Sequence, residues 1–125
     1  MDHDVVRAWV DAYESAWRND DVAAVEALFD PDVSYRTSPY AVPRVGHDAV
    51  KAFWLDDQGE PFTMSHRVIA TEGSIAVVEV SVHYLPPVDQ EYRDLWVMRF
   101  AADGRVADFE EWAYWPDTPH SASSH

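Results

Sequence analysis

The chain has 125 residues, 47% of them hydrophobic and 14% aromatic, which suits one folded domain with a single core and excludes a disordered chain. Its formal net charge is −14, from 23 acidic and 9 basic residues, so phosphate backbones and anionic membranes are repelled and are excluded as expected partners. With no cysteine there is no disulfide framework, thiol nucleophile or cysteine-based metal site.

In chain order, residues 4–18 show helical periodicity, with Val6, Val10, Tyr13 and Trp17 on one stripe and Trp9 at its border. Asn19-Asp20 breaks the pattern, and Asp20 or Asp21 can cap a second helix, DVAAVEALF, which Asp30-Pro31 stops. DVSYRTS reads as a short strand, SPYAVPRVG as a loop, and GHDAVKAFWLDD as a third helix with Val50, Phe53 and Trp54 as its apolar side. From Pro61 onward four strands follow, separated at Glu72-Gly73, Pro86-Pro87 and Asp103-Gly104. Helices first and antiparallel strands afterwards is the α+β pattern. One domain over residues 1–116 is expected, with a small, polar tail, 117–125, expected to be disordered. No apolar run approaches a membrane span, and the charged N-terminus enters a helix rather than a signal peptide, so a cytoplasmic location is expected.

Strand alternation singles out the last strand. Ala107, Phe109, Glu111 and Ala113 share one face, and Val106, Asp108, Glu110, Trp112 and Tyr114 share the other. Glu111 therefore goes inward with Phe109, and Glu110 outward with Asp108. A carboxylate in apolar surroundings has its charged form disfavoured, which moves it towards the range useful for proton transfer. The alternative is a structural carboxylate satisfied by Arg36, Arg67 or a hydroxyl. In TMSHRV, His66 shares the inner face with Met64 and Val68, where it could shuttle a proton or simply complete the core. His83 alternates outward. His3, His120 and His125 fall in expected tails, and no HExxH or other metal spacing is present, so neither metal nor cofactor is expected. Asp94, two residues from Trp96 on one face, is either a second acid near a rim or solvated.

The opening helical pair ending in ALFDPDVSY, the loop-to-helix VGHDAVKAFW, and VMRFAADGRV before the last strand resemble the nuclear transport factor 2-like superfamily, particularly its SnoaL-like and ketosteroid isomerase-like branches. The resemblance implies a cone-shaped barrel, a strongly curved mixed or antiparallel sheet wrapped around three helices, with a deep apolar pocket and commonly a homodimer. Glu111 matches an acid/base carboxylate of polyketide cyclases and limonene epoxide hydrolases, His66 a histidine of scytalone dehydratase-like members, and Tyr13 an oxyanion-stabilising tyrosine of ketosteroid isomerases. The isomerase's general base falls at Thr37 or Ser38 and its protonated aspartate at Trp96, so the steroid isomerase apparatus is incomplete here.

Two readings follow. One is a cofactor-independent acid/base enzyme (isomerase, cyclase, dehydratase or epoxide hydrolase type) acting on a small apolar carbonyl or epoxide compound. Glu111, His66 and Tyr13 would be catalytic, and Trp17, Tyr35, Phe53, Trp54, Val82, Tyr84, Asp94, Trp96, Met98 and Phe109 would bind substrate. The other is a non-catalytic small-molecule-binding or dimerisation module. Val97, Trp112 and Tyr114 on the outer sheet face are the expected homodimer surface.

Overall fold

The computed structural model describes residues 1–55 and 61–116. The tail 117–125 and the Asp56-Asp57 end of the third helical segment lie outside the described residues.

Helix α1 spans His3–Arg18, opened by the Asp2 carboxylate, which accepts from the Val5 N–H at 3.0 Å. His3 thus belongs to the first helical turn, not to a tail. Val6, Trp9, Val10, Tyr13 and Ala16 are buried along its inner stripe, while Trp17 is only partly buried. Trp9 is a core residue rather than a border one: its indole N–H donates to the Leu28 carbonyl at 2.9 Å and stitches α1 to the next element. The second helical segment is shorter than its periodicity suggests. A 3-10 turn, Val22–Ala24, leads into a single-turn helix α2, Val25–Leu28, and Asp21 precedes it without a side-chain cap. Phe29 already belongs to strand β1, Phe29–Arg36, because it pairs with Val106 there. Tertiary pairing overrides local helical propensity at that point.

The remaining elements are β2 (Arg44–Val45), α3 (His47–Leu55), β3 (Phe62–Glu72), β4 (Ile75–Tyr84), β5 (Gln90–Phe100) and β6 (Val106–Tyr114). The segment read as a loop therefore contributes the two-residue strand β2, antiparallel to β1. Six strands run in the order β2-β1-β6-β5-β4-β3, and every pair is antiparallel except β1 with β6. The long connection from β1 through α3 to β3 is what lets β1 reach the far side of β6. The mixed sheet curves around the helices and buries its concave face against α1 and α3.

Two bulges tune which side chains enter that face. Arg99 pairs with Asp108 but Phe100 pairs with Val106, which leaves Ala107 as an extra residue on β6. The consequence corrects simple alternation: Val106 is fully buried, on the inner side with Phe109 rather than the outer side with Asp108. On β3, Ile69 is skipped between the Val68–Val78 and Ala70–Val77 pairs, and beyond it Ile69 and Ala70 are exposed. Between the bulges the register lines up Val68, Val78, Trp96 and Glu111 in one row across four strands, and His66, Val80, Asp94 and Ala113 in the next.

Candidate active site

Along β4 and β5 the burial of the inner side chains falls in one direction, while on β3 and β6 Phe62 and Ala113 are buried again beyond half-buried His66 and Glu111. Ala76, Val78 and Val80 of β4 are fully buried, whereas Val82 and Tyr84 are half-buried. On β5, Met98 and Trp96 are buried and Tyr92 is half-buried; on β3, Val68 is buried while His66 and Met64 are half-buried. The concave face is thus filled at one end and open at the other. Asp94 and Glu111 stand where the filling stops.

The filled end is a cluster of rings centred on Tyr13. Its ring lies 4.8 Å from Trp96, 5.3 Å from Trp54, 5.9 Å from Trp17 and 6.0 Å from Phe109, so these four rings meet around one tyrosine. Tyr35 stacks on Phe109 at 4.7 Å, and its hydroxyl meets that of Tyr13 at 3.2 Å. The Trp54 indole N–H leans towards the Tyr35 hydroxyl, which it can only donate to. Tyr35 and Met98 are packed within this filled end, and Phe53 contacts Tyr35 while carrying Arg44 over its other side at 4.2 Å. Val82 and Tyr84 stand at the open end with Trp17.

Glu111 is on the inner face, directly across from Trp96 on β5. Asp94, one row along, is buried to 5% exposure, so the reading of Asp94 as solvated is wrong. Burial pushes the Glu111 carboxyl well above the ordinary range, the neighbouring Asp94 pushes it further, and the Trp96 N–H opposes. Burial likewise raises Asp94, to about 6, against hydrogen bonding from Glu111 and Trp96. Both carboxyls are thus biased towards their protonated forms by burial, and their proximity favours one of the pair holding a proton while the other is ionised. The Trp96 indole faces both carboxyls without closing a well-aligned bond to either: Trp96 Nε1 and Asp94 Oδ1 are buried and unpartnered, as is Trp54 Nε1. Burial also holds the Tyr13 and Tyr35 hydroxyls above their usual range, and in both the charge of Glu111 adds to it.

Neither arginine suggested as a structural partner reaches Glu111. Arg36 lies in register with Glu110, and Arg67 pairs with Glu79 on the solvent side. Nor does the structure bring His66 to the carboxyl; it sits in the row of Asp94 but two strands away, with Val80 between them, a separation of roughly 10 Å at ordinary strand spacing. Glu110 is on the outer face and accepts from the Trp112 indole at 3.1 Å. The partner that sequence reasoning missed for Glu111 is Asp94. The available signal was its position two residues before Trp96, but reading it needed the β5–β6 register.

A strongly curved mixed sheet over three helices is the nuclear transport factor 2-like fold. The chain belongs to the SnoaL-like domain family, which it matches over residues 6–109. Among solved structures it is similar to an NTF-2 like protein of unknown function from Burkholderia xenovorans LB400, with 21% identity, a TM-score of 0.72, and coverage of 92% of this chain and 87% of that one. A steroid delta-isomerase from Pseudomonas aeruginosa matches at 21% identity and a TM-score of 0.64, covering 91% and 82% of the two chains. An LEH-like epoxide hydrolase of M. tuberculosis matches at 16% identity and 0.61, covering 86% and 80%. At these identities the likeness is one of fold. Comparison with curated proteins gave no match.

Proposed function

We propose that the protein is a cofactor-independent acid/base enzyme acting on a small apolar epoxide or carbonyl compound, with Glu111 as the acid and Asp94 as the base. The supporting observation is half-buried Glu111 beside buried Asp94 at the boundary between filled and open sheet face, with both carboxyls pushed up by desolvation. In epoxide opening, Glu111 gives its proton to the ring oxygen as the C–O bond breaks, while Asp94 takes a proton from the attacking water; a diol leaves, and Asp94 passes its proton to Glu111 to restore the starting pair. With a carbonyl substrate, Asp94 removes a proton from the adjacent carbon and Glu111 protonates the oxygen. Tyr13 and Trp96 position the substrate oxygen, and His66 lines the approach. The alternative, a binding module, uses the same face without proton transfer.

Styrene oxide serves as a test substrate. The wild-type protein is expected to hydrate it faster than buffer, with a rate that rises with pH as Asp94 ionises near its value of about 6. Glu111→Gln should keep the fold and lower turnover by roughly a hundredfold or more, and Asp94→Asn should do the same. Wild-type protein that binds styrene oxide without hydrating it would establish the binding module instead.

A further inference from the structure

The two carboxyls have no fixed counter-charge, and the reason can be read residue by residue. Of the nine basic side chains, six are engaged in surface ion pairs: Arg7 with Asp4, Arg18 with Glu14, Lys51 with Glu26, Arg67 with Glu79, Arg99 with Asp108 and Arg105 with Asp103. Arg44 lies over Phe53, and its field acts on the Tyr35 hydroxyl. Arg36 and Arg93 follow inward-facing Tyr35 and precede inward-facing Asp94, which turns both outward. Residues 56–60 and 117–125 contain no lysine or arginine. No permanent cation in this sequence is therefore left to neutralise Asp94. The titratable group against it is Glu111 from β6; Tyr13 from α1 and Tyr35 from β1 lie within the field of Glu111, Tyr84 from β4 within reach of Tyr13, and His66 from β3 stands two strands off, with Val80 between.

A buried anion without a counter-charge is costly, and a buried acceptor without a donor adds to that cost. Asp94 Oδ1 is such an acceptor, on a side chain 5% exposed. Trp96 faces it, and through Tyr13 that ring is joined to Trp17 and Trp54, indoles whose faces attract cations most strongly where water is excluded. The overall charge of −14 gathers cations around the molecule before any contact is made.

We propose that the ligand of this site carries a protonated amine on an apolar ring body, its ammonium N–H closing on Asp94 Oδ1 while the body lies against the tryptophans. This rests on the reading of the open concave face as the ligand site and departs from it in one respect: Asp94 anchors the ammonium, so a bound amine is held there without Asp94 acting as the base. Binding of such a ligand supplies the positive charge that the chain lacks and a well-aligned donor for the open Oδ1.

The test compares 2-(2-naphthyl)ethylamine with its neutral isostere 2-(2-naphthyl)ethanol by titration calorimetry, at about pH 7.5 and about 0.15 M salt to screen surface attraction. The wild-type protein is expected to bind the amine with one site per chain and roughly tenfold more tightly than the alcohol. Asp94→Asn should abolish that preference while still binding the alcohol, and Glu79→Gln, a surface acid, should leave it intact. If Asp94→Asn does not fold, the wild-type protein at about pH 5 replaces it, where protonation of Asp94 should shrink the preference. Equal affinities, no binding of either probe, or a preference that survives the loss of the Asp94 charge would overturn the proposal. Amine preference without styrene oxide hydration would sink only the catalytic reading; hydration without amine preference would sink only this one.

Discussion

The two ends of the concave face are built from the same strands by the same alternation, yet they do different things. At one end Val78, Met98, Phe109 and Tyr35 interdigitate with α1 and leave their side chains no solvent; at the other, Met64, His66, Val82 and Trp17 keep part of their surface. The difference lies in what covers the strands: the rings of α1 fill the inner end, whereas at the outer end of β3 the contact from α1 is the Arg18 side chain, which donates to the Phe62 carbonyl at 2.8 Å and lies over its ring. A stability region and a binding region thus share one face, and a polar pair marks the border. The lesson is that the site need not be a separate feature added to the fold; it is where the core stops being completed.

That contrast is open to direct attack. Phe109→Ala, in the filled end, should lose about 3–5 kcal/mol of stability, because its stacked neighbours Tyr35 and Tyr13 cannot collapse into the space. Met64→Ala, at the open end, should cost about 1 kcal/mol or less. Denaturant midpoints measured on both variants check this, and similar losses would mean that the two ends are packed alike.

The border itself has a pH signature. Asp94 stands at about 6 in the folded chain against 3.8 for the ordinary group, so the folded state keeps a proton that the unfolded state gives up across that interval. Stability should therefore fall as pH rises from about 4 to about 6, by about 2–3 kcal/mol from this group. Glu111 is shifted in the same direction and extends the loss upward in pH. Asp94→Asn should accordingly be more stable than wild type at neutral pH by about 1–2 kcal/mol, with the advantage gone near pH 4. A variant less stable than wild type at both pH values would show that the carboxyl is held by bonds that outweigh its burial. The smallest effect belongs to Tyr35→Phe, which removes the hydroxyl pair with Tyr13 and should cost about 1 kcal/mol in thermal or denaturant unfolding.

Much of this was legible in the sequence, and the illegible part has physical causes. The order of elements, the inward placement of Glu111 and the outward placement of Glu110 follow from periodicity, because one face of each strand is buried and alternation is then enforced. Phe29 could not be assigned by periodicity, since its helical spacing and its strand pairing with Val106 compete and only the long-range contact decides. Val106 was placed on the wrong face because alternation assumes an uninterrupted ladder. Asp94 was ambiguous for another reason: an isolated acid on a strand reads as solvated unless the neighbour that shares its proton is known, and that neighbour is on a different strand.

The extra residue at Ala107 has one more consequence. It acts as a phase shift between two messages written on β6. Before it, Val106 answers to the packing of β1 and Phe100; after it, Phe109 and Glu111 answer to the rings and the acid opposite. Because the shift absorbs one position, the turn at Asp103-Gly104 can be set by its own geometry, with Gly104 at a positive φ of 89°, without dictating which carboxylate of the Glu110-Glu111 pair looks inward. Deleting Ala107 would leave one regular alternation in which Val106, Phe109 and Glu111 still face inward, and what would be lost is the bend and extra twist that the bulge puts into β6.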